Sequence, residues 1–178
     1  MIQKVMDEIN TVMQQVDETQ LEQALALFDK QTRIFITGAG RSGFQAKSFA
    51  MRLMHIGYTD FVIGETITPS IQQGDLWIAI SGSGTTSGIL KETETAKKMG
   101  LTILAITSDP TSPLAILADT VLIVLGATKT GSGIASIQLL STLFDQTVHI
   151  TLDVLALMIA QKDQTSNEQA LHEHVNIE

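Results

Sequence analysis

Apolar runs that break off into glycine and hydroxyl residues, each followed by a helical pattern, constrain this chain more than any other feature. Arg33-Ile34-Phe35-Ile36-Thr37 runs into Gly38-Ala39-Gly40-Arg41-Ser42, and Leu76-Trp77-Ile78-Ala79-Ile80 runs into Ser81-Gly82-Ser83-Gly84-Thr85-Thr86. A strand of near-continuous apolar residues is covered on both faces, as strands of parallel sheets are. The turn leaving such a strand carries unpaired N–H groups and the positive end of the next helix dipole to the C-terminal edge of the sheet. Ligands of open α/β sheets bind at that edge. Hydroxyls at Ser81, Ser83, Thr85 and Thr86 add donors without adding fixed charge. The two turns together read as a phosphate cradle.

The remaining pattern agrees with one domain over residues 1–178: an N-terminal helical segment at 1–30, an α/β core at 31–161 and a tail at 162–178. Val5, Ile9, Val12 and Val16, then Leu21, Leu25 and Phe28, fall at helical spacing, with a helix-start signal near Asp17. They predict a helix pair or one broken helix. Strands are expected at 33–37, 59–63, 76–80, 101–106 and 120–125. Helices are expected at 42–56, 85–99 and 113–118, with a turn or short helix at 68–70. This alternation predicts a three-layer α/β/α sandwich around a five-stranded parallel sheet. After a loop at 126–132, residues 133–161 read as one long helix, apolar on nearly every side through Ile134, Ile137, Leu139, Leu140, Leu143, Phe144 and Val148 onward. A helix apolar all round is buried all round. The N-terminal helices and this one are therefore expected at contacts between copies, in a dimer or tetramer. Residues 168–178 predict a short final helix and arm.

Eleven basic against nineteen acidic residues give a net charge of −8, with no basic cluster, which disfavours nucleic acid and anionic membranes as partners. A phosphate would then be held by local dipoles. No cysteine is present, so disulfides, thiolate metal sites and cysteine nucleophiles are excluded. No secretory pattern opens the chain and no apolar span of about 20 residues is expected, which predicts a cytoplasmic location.

Gly38-Ala39-Gly40-Arg41-Ser42-Gly43 is similar to the dinucleotide fingerprint, and Glu65, roughly 20 residues on, fits its ribose-binding acid. The hydroxyl-rich second turn has no role in that reading, which makes it the weaker one. The two cradle turns together resemble the sugar isomerase (SIS) domain, and within it the 6-phospho-3-hexuloisomerases. Support for the narrower resemblance comes from Gly38 to Gly43, Ala50-Met51-Arg52-Leu53-Met54-His55-Ile56-Gly57, Val62 to Thr66, Ile106 to Pro110 with Ser112 to Ala115, and the ending His174-Val175-Asn176-Ile177-Glu178.

The resemblance implies isomerisation of arabino-hex-3-ulose 6-phosphate to fructose 6-phosphate through an enediol, without metal or cofactor. It implies that Ser42, Ser81, Ser83 and Thr86 grip the phosphate, with Gly40, Arg41, Gly82, Thr85 and Arg52 completing the substrate contacts. The position of Asp145, in Leu143-Phe144-Asp145-Gln146, matches a family Glu expected to be the base; the shorter Asp retracts the carboxylate by about 1.5 Å. Residues 137–142 also lack the proline and glycine of the subgroup. Glu65 is the reserve base, and His174 the acid or proton shuttle, working on a neighbour's site if the tail crosses over. Asp145, His149 and Asp153, spaced four apart, share a helix face, where His149 is expected to neighbour the base and no metal is expected. His55 is a secondary candidate. Two alternatives stand beside this reading: another SIS isomerase, acting on arabinose 5-phosphate or a heptose phosphate, and a sugar-phosphate-binding module without chemistry.

Overall fold

The computed structural model describes residues 1–177; Glu178, the last residue of the family-like ending, lies outside them. Five parallel strands, β1 (Ile34–Gly38), β2 (Asp60–Val62), β3 (Leu76–Ile80), β4 (Thr102–Thr107) and β5 (Thr120–Ile123), form one sheet in the order β2-β1-β3-β4-β5. The chain moves from β1 to β2 in one direction and then returns to place β3 on the other side of β1, in register from Ile34 opposite Leu76 to Gly38 opposite Ile80. The connections leaving β1 and β3 therefore diverge, and a cleft opens between them.

The helices are α1 (Ile2–Met13), α2 (Glu18–Leu25), α3 (Arg41–Ile56), α4 (Ser87–Lys98), α5 (Pro113–Leu117), α6 (Thr142–Lys162) and α7 (Asn167–Glu173). Alternate strand residues feed two cores, because successive side chains point to opposite faces. Ile34, Ile36, Ile78, Ile80 and Ile106 face the core shared with α1, α2, α3 and α6, while Phe35, Trp77, Ala79 and Ile103 face α4 and α5. Asp17 caps α2 by accepting from Thr19 N at 2.8 Å, so the helical segment before β1 is a pair.

The helix expected over 133–161 begins only at Thr142. Gly131 and Gly133 stand at φ 84° and 83°, Leu140 at φ 56°, and Ile134 bridges Gly126 in parallel fashion. Left-handed backbone of this kind interrupts a right-handed helix. Glu8 of α1 holds the irregular segment, accepting from Ser136 Oγ and Ile137 N at 2.7 Å each and from Gln138 Nε2 at 3.2 Å. Residues 68–70 form no helix; Thr68 Oγ1 instead donates to Val62 O at 2.6 Å.

By length and mean hydropathy, 1.4, α6 is apolar enough to cross a membrane, although Asp145, His149 and Asp153 interrupt its apolar run. It is nonetheless a core helix: Leu143, Phe144, Val148, Leu152, Leu155 and Ile159 are buried against the sheet and its neighbours.

Asp60 opens β2 with its carboxyl partly buried, and burial raises its pKa from 3.8 to about 7. The folded state then keeps a proton that the unfolded chain has lost, so the cost to stability accrues between about pH 4 and pH 7 and stays constant above. Asp60→Asn is expected to raise the melting temperature at pH 8 and to leave it nearly unchanged at pH 4, as thermal unfolding followed at the two pH values would show.

Candidate active site

A cleft of about 270 Å³ lies at the C-terminal ends of β1 and β3. Its first wall is the turn into α3. Gly40 caps that helix at φ 58° and ψ −131°, a conformation that favours glycine. Gly38, Gly40 and Gly43 carry the full fingerprint spacing, and packing explains the outer two: a Cβ on Gly38 would meet Ser42 O at 2.8 Å, and one on Gly43 would meet Gly38 O at 2.8 Å. Strand end and helix start are pressed together, and Arg41 and Ser42 project beside the cleft.

The second wall is the turn from Ser81 to Thr86. Gly82 O accepts from Ser108 N at 2.9 Å and Thr107 Oγ1 at 3.1 Å, while Gly84 O accepts from Leu114 N at 3.1 Å. These bonds fix the turn from behind. Gly84 stands at φ 61°, and a Cβ there would lie 2.1 Å from Ser112 Oγ. Ser81 Oγ and Thr86 Oγ1 are 3.1 Å apart, so one hydroxyl hydrogen of the pair stays available. Ser83 Oγ accepts from Thr85 Oγ1 at 2.9 Å, which leaves the buried Ser83 hydroxyl its own hydrogen to donate. Thr85 itself is exposed outside the cleft and acts on the cradle only through Ser83.

Four further lining residues, Thr128, Lys129, Leu140 and Ser141, escaped the sequence reading. Two of them lie in the segment expected to be helix. The net negative charge of the whole chain masks Lys129, although a lysine among threonines and glycines just after the last strand is a local signal of an anion site. With Arg41 and Lys129 beside it, the cleft does not rely on dipoles alone.

Asp145 occupies the first turn of α6 behind this cleft, its side chain fully buried. Oδ1 accepts from Ser42 Oγ at 3.3 Å, and Oδ2 accepts from Ser141 Oγ at 3.2 Å and lies 3.4 Å from Arg41 Nε. Burial pushes its pKa up, partly offset by the Ser141 hydroxyl, the Arg41 charge and the Ser42 hydroxyl. A second Arg41 contact, Nη1 to Thr142 Oγ1 at 2.9 Å, holds the guanidinium across the start of α6.

The other sequence candidates stand elsewhere in the chain. Glu65 is half exposed and pairs with Lys47 at 2.5 Å, on a groove along the β2 edge rather than in the cleft. Arg52 pairs with Asp153 at 3.5 Å near the far end of α3. His55 and His174 stack there with ring centroids 5.1 Å apart. At about 1.5 Å per helical residue, Arg41 and His55 are separated by roughly 20 Å, so within one chain neither Arg52 nor His174 reaches the cradle. His55 Nε2 is buried without a hydrogen-bond partner, and burial, then the His174 and Arg52 charges, lower its pKa. His149 neighbours Gln45, at 3.0 Å, and Asp153 rather than the Asp145 carboxylate. Among the described residues no cluster of His, Asp or Glu is arranged to hold a metal ion.

Such a site can bind an anion against hydroxyls, amides and two cations, with a protonatable carboxyl close by. The SIS domain family matches residues 27–158. A 3-hexulose-6-phosphate isomerase of Mycobacterium gastri is 41% identical over 175 residues, covering 98% of this chain and 88% of that protein. The Bacillus subtilis protein of the same name is 32% identical over 99% of this chain and 97% of its own length. A Methanococcus jannaschii protein, whose crystal structure is described as inferring the function of 3-hexulose-6-phosphate isomerase, superposes with a TM-score of 0.86 at 30% identity, over 99% of this chain and 98% of that one.

Removing the Ser83 hydroxyl deletes one donor to a charged ligand. Ser83→Ala is expected to weaken inorganic phosphate binding by about 1.5–3 kcal/mol in calorimetry; unchanged affinity would place the anion outside this turn.

Proposed function

The chain belongs to the SIS-domain family, and from that premise we propose that it is an isomerase interconverting D-arabino-hex-3-ulose 6-phosphate and D-fructose 6-phosphate. The observation that carries the reading is near-full-length similarity to two proteins named for this activity, in a chain whose hydroxyl-lined cleft has a buried carboxyl behind it. The substrate is a small sugar phosphate, which suits a cytoplasmic setting.

The reaction moves a carbonyl from C3 to C2. A base takes the proton from C2 while O3 gains one, giving an enediol across C2 and C3. O2 then loses its proton as C3 is protonated, and no net oxidation occurs. One carboxylate serves both carbon steps if its pKa lies near the working pH, and burial moves Asp145 in that direction. In this proposal Asp145 is the base.

Its carboxylate is screened by Ser42, Ser141 and Arg41, of which only Arg41 is largely exposed, 55% by side chain. An anionic substrate draws that guanidinium toward itself. The same movement opens the carboxylate and removes a charge that held its pKa down, so binding strengthens the base where it is needed.

His174 shuttles protons between O2 and O3 in the cleft of a second copy, with Arg52 beside it, because within its own chain it lies too far away. Ile150, Val154 and Leu157 on the outer side of α6 and Met51 and Met54 on α3 are partly exposed, and a homo-oligomer covers such surface. Sedimentation is expected to give a mass above one chain. Asp145→Asn and His174→Ala proteins, each inactive alone, are expected to recover activity when co-refolded as a mixture; no recovery would remove His174 from the shuttle role.

An assay with hex-3-ulose 6-phosphate tests the activity itself. Turnover to fructose 6-phosphate is expected, with kcat lowered about a hundred- to ten-thousand-fold in Asp145→Asn. Full turnover in that variant rules Asp145 out as the base. Preferential turnover of arabinose 5-phosphate assigns the chain to another sugar-phosphate isomerase, and fructose 6-phosphate binding without turnover of any substrate makes it a binding module, a reading that the Asp in place of the family Glu favours.

A further inference from the structure

Lys129 is presented by a turn held by hydrogen bonds and close packing on several sides. Thr128 N donates to Ser132 O at 3.0 Å and Gly131 N to Thr128 O at 3.1 Å. Thr128 Oγ1 and Ser132 Oγ are 2.6 Å apart, and Ser108 Oγ, at the end of β4, donates to Ser132 Oγ at 3.1 Å. The base of the turn is jammed as well: a Cβ on Gly133 would lie 2.2 Å from Gly126 O, and one on Gly126 would lie 2.4 Å from Phe144 Cα. Hydroxyl bonds and close backbone packing thus fix the loop before any ligand arrives, which lowers the ordering cost of binding.

The turn also has a definite address. An added Cβ on Gly82 would meet Thr128 Cγ2 at 3.0 Å, so residue 128 touches the floor of the Ser81 to Thr86 turn, and the lysine next to it lines the same cleft. Of the two cations there, Arg41 already faces Asp145 and Thr142. Among the described residues the Lys129 ammonium makes no ion pair. In a chain of net charge −8, a lysine held at an anion cradle by a preformed loop is placed to meet negative charge.

We propose that Lys129 is the phosphate-recognition residue of the cleft: its ammonium pairs with the phosphate that the Ser81 to Thr86 hydroxyls hold, and it selects phosphorylated sugars over free ones. This rests on the isomerase reading for the identity of the sugar, but not for the anion. The pairing anchors the remote end of the substrate, so its loss lowers affinity for substrate and transition state alike.

Lys129→Met is expected to raise KM for hex-3-ulose 6-phosphate about 10- to 100-fold, the span of one charge-assisted hydrogen bond, with kcat within a few-fold of the parent. Inorganic phosphate, titrated by calorimetry, is expected to lose affinity in parallel. The fall of kcat/KM with ionic strength is expected to become shallower, because one attractive charge is gone. Lys129→Arg keeps the charge and is expected to restore most of KM, phosphate affinity and salt dependence; a purely structural lysine would move none of these together. Unchanged KM and unchanged phosphate affinity in Lys129→Met overturn the proposal while leaving the isomerase intact. Absence of turnover in the parent protein sinks the isomerase reading, and the phosphate titration then still decides the role of Lys129.

Discussion

One buried carboxylate joins the turn into α3 to the start of α6. Asp145 takes a hydroxyl from the start of α3, through Ser42, and another from the residue before α6, through Ser141, while Arg41 lies against its second oxygen. An ionised group taken out of water costs several kcal/mol unless polar partners surround it, and here each partner lines the cleft in its turn. The positions of Arg41, Ser42 and Ser141 are consequently set together. Helix packing brings α3 and α6 side by side, but it is this polar contact that fixes where their N-termini meet.

Local chemistry explains which parts of the molecule were legible in advance. The apolar runs that became β1, β3 and β4 needed only their own residues to declare themselves, and so did the Asp17 cap and the Gly38 to Ser42 and Ser81 to Thr86 turns. The segment at 133–141 did not. Ile134, Ile137 and Leu140 are spaced as a helix would space them, yet Glu8, more than a hundred residues earlier, bonds the backbone at Ile137 and the side chain of Ser136. Periodicity cannot report a competitor so distant in the chain, and the glycines at 131 and 133 were the one local warning.

The candidate residues divide along the same line. Ser42, Ser81, Ser83 and Thr86, with Gly40, Arg41 and Gly82, are placed in one cleft because each belongs to one of two turns on adjacent strands. Arg52, by a family-like segment, Glu65, as an acid ending a strand at the ligand edge, and His174, by the family-like ending, were singled out without any measure of distance. The first and third lie at the opposite end of a sixteen-residue helix, and Glu65 faces Lys47 on the sheet edge. Lys129 shows the reverse case: no motif marks it, yet a tight turn delivers it to the cradle.

The Glu8 brace carries a lesson about where a domain begins. The family match spans residues 27–158, but the wall that supplies Leu140 and Ser141 to the cleft adjoins a stretch fastened by the first helix. Trimming the protein to the recognisable span would preserve both glycine turns and every strand while casting off the strut behind one side of the pocket. The opening helix is thus part of the binding architecture, although no residue of it lines the cleft.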